Sequence, residues 1–325
     1  MQKEFLAALD HEVNSLELNA QPIELYEPIR YLMALGGKRM RPVFTLMAYS
    51  LFKTDWQKAV KPSLAIEVFH NFTLMHDDIM DKAPLRRGKQ TVHEKWNDNI
   101  AILSGDVMLV KAYDYLNKVE GLSLADFQYL VHRFNQTAAE VCEGQQFDMN
   151  FESRDDVSLN EYLEMIRLKT SVLVGFSLEM GALLAGESRE IATKLYAIGE
   201  KVGLGFQLKD DILDVYGNPE TFGKQPGGDI LANKKTYLLI SAIQQAEGNL
   251  QEELQHWLMS NPANPMDKVQ AVTAIYNVLG VKDLAEAKMK AYFEEALKGI
   301  AELAIKQEGK NQLTDFLSAL MVREV

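Results

Sequence analysis

The stretch FQYLVHRFNQTAAEV, residues 127–141, carries the pattern that decides the fold. Its apolar residues recur at steps of three and four, which is the spacing of one face of an α-helix. These residues are Phe127, Leu130, Val131, Phe134, Ala138 and Val141. One helix earlier, the same spacing recurs at Ile100, Leu103, Val107 and Val110. The local pattern therefore predicts successive amphipathic helices.

The placement of the prolines extends this prediction along the chain. None of the nine prolines lies between Pro84 and Pro219, so a long stretch lacks the residue that most often breaks a helix. Alternating apolar and polar runs joined by Asn-Gly or Asp-Gly turns, which would favour β-hairpins, are missing. The sequence contains no internal repeat and no linker rich in Gly and Ser. We therefore predict an all-α protein with a single domain over residues 1–325.

Composition excludes several classes of function. Lys and Arg number 34 and Asp and Glu number 46, for a net charge of −12, which argues against wrapping a nucleic-acid backbone or coating an anionic membrane. The single cysteine, Cys142, allows neither an internal disulfide nor a multi-thiolate metal site. The first ten residues lack the apolar core of a signal peptide, and the most apolar stretch, residues 171–186, is too short to span a membrane. We expect a soluble, cytoplasmic protein.

Two copies of the pattern Asp-Asp-x-x-Asp, at residues 77–81 and 210–214, give the strongest chemical signal. On a helix, residues four apart lie about 40° around the axis, so the outer aspartates of each triplet share a face. Like charges at that spacing repel, and a hard divalent cation such as Mg²⁺ would offset the repulsion. Because Mg²⁺ binds through a few carboxylates together with substrate phosphates, a diphosphate substrate is favoured. The predicted metal-binding residues are Asp77, Asp78, Asp81, Asp210, Asp211 and Asp214.

Basic and polar residues surround both triplets. The first is followed by Arg86-Arg87-Gly88, and arginine is suited to bidentate contacts with a diphosphate. Two segments that contain glycine and lysine, residues 36–42 and 222–229, interrupt the helical pattern where cations could reach an anion. Further candidates by helical position are His70, Lys169, Thr170, Phe206 and Gln207.

Taken in order, these motifs resemble those of the trans-prenyltransferases, the family of farnesyl, geranylgeranyl and longer polyprenyl diphosphate synthases. The resemblance covers nearly the whole chain and is detailed over residues 25–245. One triplet alone would be weak support, whereas the full set in order is highly specific. The marks are Gly36-Gly37-Lys38, Arg41-Pro42, His70, both Asp triplets, Arg86-Arg87-Gly88, Lys169-Thr170, Phe206-Gln207, Lys224 and Lys234. The resemblance implies a bundle of antiparallel helices around a central cavity, and a homodimer.

The resemblance also assigns a role to each mark. Isopentenyl diphosphate would be bound by Lys38, Arg41, His70 and Arg87. Mg²⁺ ions bridging to the allylic diphosphate would be held by Asp77, Asp81 and Asp210, with Asp78, Asp211 and Asp214 as supporting carboxylates. The allylic diphosphate would be clamped by Arg86, Lys169, Lys224 and Lys234. Thr170 and Gln207 would turn their oxygens toward the developing carbocation.

The implied reaction is a Mg²⁺-dependent, head-to-tail condensation of isopentenyl diphosphate with an allylic diphosphate. In the family, bulky residues shortly before the first triplet form a floor that stops elongation, and Phe72 and Thr73 stand there. The first triplet lacks the two-residue insertion of bacterial farnesyl synthases, and Thr73 is not aromatic as in the eukaryotic farnesyl pattern. These departures resemble geranylgeranyl synthases, so we expect a C20 product first and a C15 product next.

Three other functions remain open. A terpenoid cyclase also uses aspartate-rich helices and Mg²⁺, but it needs no second diphosphate site of the kind that Lys38, Arg41 and His70 imply. A non-catalytic prenyltransferase subunit would be expected to have lost carboxylates or arginines, and none is missing here. A long-chain synthase for quinone tails would be favoured by a small residue in place of Phe72.

Overall fold

The computed structural model describes residues 1–16, 18, 20–218 and 227–322. Most of the described residues are helical, and short segments connect the helices, so the all-α prediction is confirmed. In chain order the helices are α1 Gln2–Asn14, α2 Ile23–Ala34, α3 Met40–Ser50, α4 Val60–Met80, α5 Val92–Lys95, α6 Asp98–Leu116, α7 Leu124–Glu152, α8 Leu159–Ile166, α9 Val172–Leu184, α10 Arg189–Tyr216, α11 Gly228–Leu231, α12 Tyr237–Gln245, α13 Asn249–Met259, α14 Pro265–Leu279, α15 Val281–Glu302 and α16 Gln307–Val322.

Two irregular helical turns and one small hairpin complete the described secondary structure. A 3₁₀ turn, Trp56–Ala59, precedes α4, and a π-helical turn, Arg167–Ser171, joins α8 to α9. The strands β1 Leu85–Arg86 and β2 Lys89–Gln90 pair antiparallel. This hairpin was not predicted, because its two-residue turn is Arg87-Gly88 and not Asn-Gly or Asp-Gly. Both turn residues have positive φ, 53° and 73°. Two positive φ angles match the twist of paired strands, which is why so short a turn closes here.

The predicted helical stripes have different environments. On α7, Leu130, Phe134 and Val141 are buried, as an inward-facing stripe requires. On α6, Leu103 and Val110 are 57% and 61% exposed. The buried face of α6 consists of Ala101, Ser104, Gly105, Met108, Ala112 and Leu116. Small residues on that face let α6 approach α4 closely, which leaves the apolar stripe on the outside.

The chain divides into two compact units, and α7, α10 and α16 each contribute several residues to both. The first comprises residues 1–137, 173–197 and 302–313, and the second comprises the remainder. In the first unit α4 packs along α6, and the core includes Phe69, Phe134 and Phe176, whose neighbouring ring centroids are 5.4 and 5.9 Å apart. The prediction of one domain over residues 1–325 stays a prediction.

The second unit has two apolar clusters. One lies where α12, α13 and α14 meet, and it contains Leu238, Leu239, Leu254, Val272, Ile275 and Tyr276. The other joins α8 to α10 and α15, and it contains Tyr162, Ile166, Leu204, Leu208 and Tyr292. Within the described residues, none of the helices combines the length and the apolarity needed to cross a bilayer.

Candidate active site

The first aspartate triplet lies at the C-terminal end of α4, three residues before Pro84. The helix ends at Met80, and Asp81 is its C-cap, with the Asp81 N–H 2.8 Å from the carbonyl oxygen of Asp77. A helix C-terminus carries partial negative charge, so carboxylates there are destabilised by the helix as well as by each other. Cations are therefore needed at this end of α4.

Arg86, from β1, supplies one of those cations to Asp78. Its Nε lies 3.0 and 2.8 Å from the two carboxylate oxygens, and its Nη2 lies 2.7 Å from one of them. The Asp78 side chain is only 2% exposed, and burial raises the pKa of its carboxyl even though Arg86 opposes that shift. Asp77 lies 3.8 Å from Arg86 Nη2, and its side chain keeps 19% of its exposure. Asp78 thus has the position of a supporting carboxylate, whereas Asp77 stays accessible.

The glycine-rich loop before α3 receives the neighbouring arginine. Gly36 and Gly37 have φ values of 76° and 148°, which favour glycine. A Cβ built on Gly37 would lie 2.9 Å from Arg87 Nη2, so the glycine makes room for this guanidinium. Lys38 follows in the same loop and is exposed. The structure therefore brings Arg87 to the loop that carries Lys38.

Arg41 and His70 form a direct contact. Arg41 Nη1 lies 3.0 Å from His70 Nε2. Burial, followed by the charges of Arg41, Arg86 and Arg87, holds the pKa of His70 well below its usual value. The imidazole is therefore neutral near pH 7, and its Nε2 accepts the hydrogen bond from Arg41. Of the four residues predicted to bind isopentenyl diphosphate, His70 orients a cation and does not itself add charge.

Behind this basic group lies a buried network that the sequence motifs did not reveal. Arg39 is 5% exposed and contacts Glu67 Oε1 at 2.6 Å and the carbonyl oxygen of Met33 at 2.8 Å. Asn71 Nδ2 donates to the same Glu67 oxygen at 3.0 Å. Arg39 lies between Lys38 and Arg41 in sequence, and the sequence pattern does not distinguish its buried charge from its neighbours. The network anchors the basic loop to α4 through a charge pair removed from water.

The second triplet lies near the C-terminal end of α10, which ends at Tyr216. Asp210 is exposed, whereas Asp211 is 4% exposed and accepts hydrogen bonds from the Tyr162 hydroxyl and from Gln207 Nε2, the latter at 3.2 Å. Burial, with a further contribution from Asp229, raises the pKa of Asp211 to about 7. Tyr162 was not predicted, because it appears in sequence only as one more apolar position of α8.

The third aspartate of this triplet organises the chain that follows it. Asp214 Oδ2 accepts the backbone N–H of Asp229 at 2.9 Å, at the start of α11. The backbone oxygen of Asp214 accepts the N–H of Gly227 at 2.6 Å. Asp214 therefore ties the described chain before residues 219–226 to the described chain after them. Lys224, a predicted diphosphate ligand, lies outside the described residues.

Thr170 and Gln207 are brought together by the π-helical turn. The Thr170 hydroxyl lies 3.0 Å from Gln207 Oε1. A Cβ built on Gly144 of α7 would lie 2.6 Å from Lys169 Cα, so α7 and the turn are in close contact. Single π turns in helices are frequent at functional sites, because the extra residue redirects side chains.

Lys169 and Lys234 converge on a carboxylate that the sequence analysis missed. Asp148 Oδ2 lies 2.6 Å from Lys169 Nζ and 3.6 Å from Lys234 Nζ. Burial alone would raise the pKa of Asp148, but the two ammonium groups outweigh it and keep this pKa low. A signal was available, since Asp148 lies seven residues beyond Val141 and continues the α7 stripe with a charge. An acid on a buried stripe indicates a paired cation.

The two predicted chain-length residues lie on α4, within the first unit. The Phe72 ring contacts His76 and Phe69, at centroid distances of 4.7 and 5.6 Å. The Thr73 hydroxyl donates to the carbonyl oxygen of His70 at 2.8 Å, so its own helix satisfies it.

The described residues do not form a complete metal cage. Among them, no group of three or more His, Cys, Asp and Glu side chains is arranged to hold a metal ion. The donors that are present are nevertheless hard carboxylate oxygens placed at helix C-termini, which suits Mg²⁺ when substrate phosphates supply further ligands.

Comparisons with known proteins bear on the whole chain. The family model described as "Polyprenyl synthetase" matches residues 22–276. A geranylgeranyl diphosphate synthase of Methanosarcina mazei is 40% identical over 237 residues, which cover 73% of each chain. A geranylgeranyl pyrophosphate synthase of Geoglobus acetivorans is 34% identical over 97% of this chain and 96% of its own. A crystal structure of a geranylgeranyl pyrophosphate synthase, 44% identical, matches with a TM-score of 0.93 over 100% of this chain and 99% of its own.

Proposed function

The chain belongs to the polyprenyl synthetase family, and we propose that it condenses isopentenyl diphosphate head to tail with allylic diphosphates. The product is a short-chain trans-prenyl diphosphate, with C20 favoured and C15 next. Relatives named geranylgeranyl diphosphate synthase support this length class. A cytoplasmic location is part of the proposal, and a single cysteine is consistent with a reducing compartment.

The proposal rests on two neighbouring arginines, Arg86 and Arg87, whose side chains contact two different groups of residues. Arg86 pairs with Asp78 of the acidic triplet, while Arg87 packs against Gly37 of the basic loop. An acidic group suited to a metal diphosphate and a basic group suited to a bare diphosphate therefore lie side by side within the first unit. A terpenoid cyclase has one diphosphate substrate and needs only the first of these. Two adjacent anion sites fit a reaction between two diphosphates.

Mg²⁺, when bound, would neutralise the charge that develops on the departing diphosphate. Asp77, Asp81 and Asp210 are the proposed ligands, because they remain more accessible than Asp78 and Asp211. Burial and hydrogen bonding of those two inner carboxylates suit them to orient the ligands and bound water.

The remaining steps use the chain's own residues. The allylic carbon–oxygen bond breaks, its electron pair leaves with the diphosphate, and Lys169 and Lys234 stabilise the released charge. The double bond of isopentenyl diphosphate, held through Lys38, Arg41 and Arg87, attacks the allylic cation and forms the new carbon–carbon bond. The resulting cation loses a proton to the released diphosphate, which restores a double bond.

Thr170 and Gln207 are suited to stabilise the cation. The Thr170 proton is directed at Gln207 Oε1, and Gln207 Nε2 is directed at Asp211. With these donors committed, the Thr170 oxygen presents lone pairs to an approaching positive charge. The chain of hydrogen bonds thus fixes the orientation of both side chains before substrate arrives.

We propose that the chain acts as a homodimer through the outer face of α6. Ile102, Leu103 and Val110 are 42%, 57% and 61% exposed and lie along one side of that helix. In a dimer with two-fold symmetry the same face of each copy packs against the other. A second copy would therefore cover this apolar stripe. Replacing Leu103 and Val110 with Glu should give a monomer by light scattering, whereas the same change at exposed Leu124 should not. A wild-type monomer at micromolar concentration would contradict the dimer.

The condensation is tested directly with purified protein. Mg²⁺ and isopentenyl diphosphate are incubated with dimethylallyl, geranyl or farnesyl diphosphate, and the products are sized by mass spectrometry. A C20 product would support the proposal in full, and a C15 product would support the reaction but not the favoured length. A folded protein that binds Mg²⁺ and yet gives no product with any starter would refute the catalytic function and favour a non-catalytic subunit.

A further inference from the structure

His76 and Gly105 lock α4 to α6 at the level of the first aspartate triplet. A Cβ built on Gly105 would overlap the imidazole, lying 2.6 Å from His76 Cδ2. His76 Nε2 also lies 3.1 Å from the carbonyl oxygen of Ile102 on α6. A carbonyl can only accept, so Nε2 carries the proton and donates. The imidazole therefore fills a slot that exists because residue 105 has no side chain.

The same imidazole contacts the ring of Phe72, one turn earlier on α4. The two centroids are 4.7 Å apart at an interplanar angle of 66°, an edge-to-face arrangement. On its other side Phe72 meets Phe69, which is 1% exposed and packs on the buried Phe134. Phe72 is half-buried and is held between a ring fixed by α6 and a ring fixed by the core.

We propose that His76 and Gly105 are positioning residues that set product length by fixing the Phe72 ring. This inference rests on the proposed elongation reaction and on Phe72 as its floor. Phe72 has two aromatic neighbours. Phe69 is fixed in the core, whereas the position of His76 depends on the slot at Gly105. The floor is therefore braced from α6, a helix that carries neither aspartate triplet.

Two opposite perturbations follow from the geometry. His76→Ala empties the slot, so the Phe72 ring gains room to swing toward α6 and the floor recedes. Gly105→Ala fills the slot, so the imidazole is displaced against Phe72 and the floor rises. In the double variant the alanine at 105 occupies part of the space vacated by the imidazole. The two effects should then oppose each other and not add independently.

The test compares product lengths from full-length purified variants with Mg²⁺, isopentenyl diphosphate and dimethylallyl diphosphate. His76→Ala should shift at least half of the product one C5 unit longer than wild type. Gly105→Ala should shift product one C5 unit shorter, and the double variant should lie between. Length distributions are normalised to total product, so a general loss of activity or stability does not move the readout.

Ser104→Ala serves as the matched control. Ser104 is fully buried on α6, and its hydroxyl donates to the carbonyl oxygen of Leu25 at 2.9 Å, so its loss weakens the packing of α6 on α2 without touching His76. Its melting temperature should fall while product length stays as in wild type. If Gly105→Ala does not fold, His76→Ala still decides the matter.

The outcomes separate this inference from the proposed function. An active His76→Ala variant with the wild-type distribution would overturn the inference and leave the condensation intact. A length shift of the same size in Ser104→Ala would also overturn it, because loosened packing would then explain the effect. A wild-type protein without product would overturn the proposed function itself.

Discussion

The buried pair of Arg39 and Glu67 gives the sharpest prediction about stability. Replacing Arg39 with Met keeps most of the side-chain length and removes the charge. Glu67 would then be a carboxylate at 3% exposure without the contact to Arg39 Nη1 at 2.6 Å. The carbonyl oxygen of Met33 would lose its donor at 2.8 Å as well. We expect a large loss of stability and no direct loss of a substrate contact.

The magnitude follows from burial on both sides of the pair. Breaking a buried ion pair by removing one partner costs about 3–5 kcal/mol, because the other charge stays uncompensated. Such a loss is a large fraction of the roughly 5–15 kcal/mol that stabilises an ordinary protein. Replacing Arg39 and Glu67 together with Met leaves no orphan charge, so the double variant should lose under about 2 kcal/mol. The double-mutant cycle should therefore show a coupling of at least about 2 kcal/mol.

The control is the next residue along the chain. Lys38 is exposed, so Lys38→Met should change the free energy of unfolding by no more than about 0.5 kcal/mol. All variants are unfolded in urea and followed by far-ultraviolet circular dichroism. The product assay is run at low temperature, where both single variants stay folded. There the order of the two variants should be reversed: Lys38→Met should raise KM for isopentenyl diphosphate, and Arg39→Met should not. An Arg39→Met variant that unfolds no more easily than Lys38→Met, or an additive cycle, would show that the buried pair does not determine stability in this way.

Three further predictions test the two triplets and the floor. Asp77→Asn and Asp210→Asn should each lower kcat at least about a hundredfold with unchanged circular dichroism, and near-normal turnover in either would remove that residue as a metal ligand. The pKa of Asp211 is raised from 3.8 to about 7, so between these pH values the folded chain holds a proton that the unfolded chain has lost. The protonated carboxyl therefore contributes stability that is complete below about pH 4 and is lost as pH rises through 7. Without Mg²⁺, wild type should therefore lose about 2–4 kcal/mol more than Asp211→Asn between pH 4 and 8, and parallel pH profiles would contradict the shift. Phe72→Ala should lengthen the product by at least one C5 unit, and an unchanged product would show that Phe72 is not the floor.

The sequence was informative wherever function depends on neighbours within one helix. The periodicity of residues 127–141 predicted helix α7, and the long proline-free stretch predicted the all-α class. The aspartate spacing placed the outer carboxylates of each triplet on one helix face, since residues four apart lie close together around the axis. The family marks identified the basic residues, and the structure brings Arg41 to His70 and Arg87 to the Gly37 loop. Product length could be approached only through Phe72 and Thr73.

Only the tertiary structure decided which side chains pair. Asp148 meets Lys169 and Lys234, although 21 and 86 residues separate them in sequence, and Arg39 meets Glu67 over 28 residues. It also decided that the apolar stripe of α6 faces outward and that His76 fills the slot at Gly105. Sequence patterns report contacts between residues three or four apart, whereas these contacts depend on how separate helices pack. Burial then sets the consequences, because removal from water makes it costly to remove one partner of the Arg39–Glu67 pair, keeps His70 neutral and raises the pKa of Asp211.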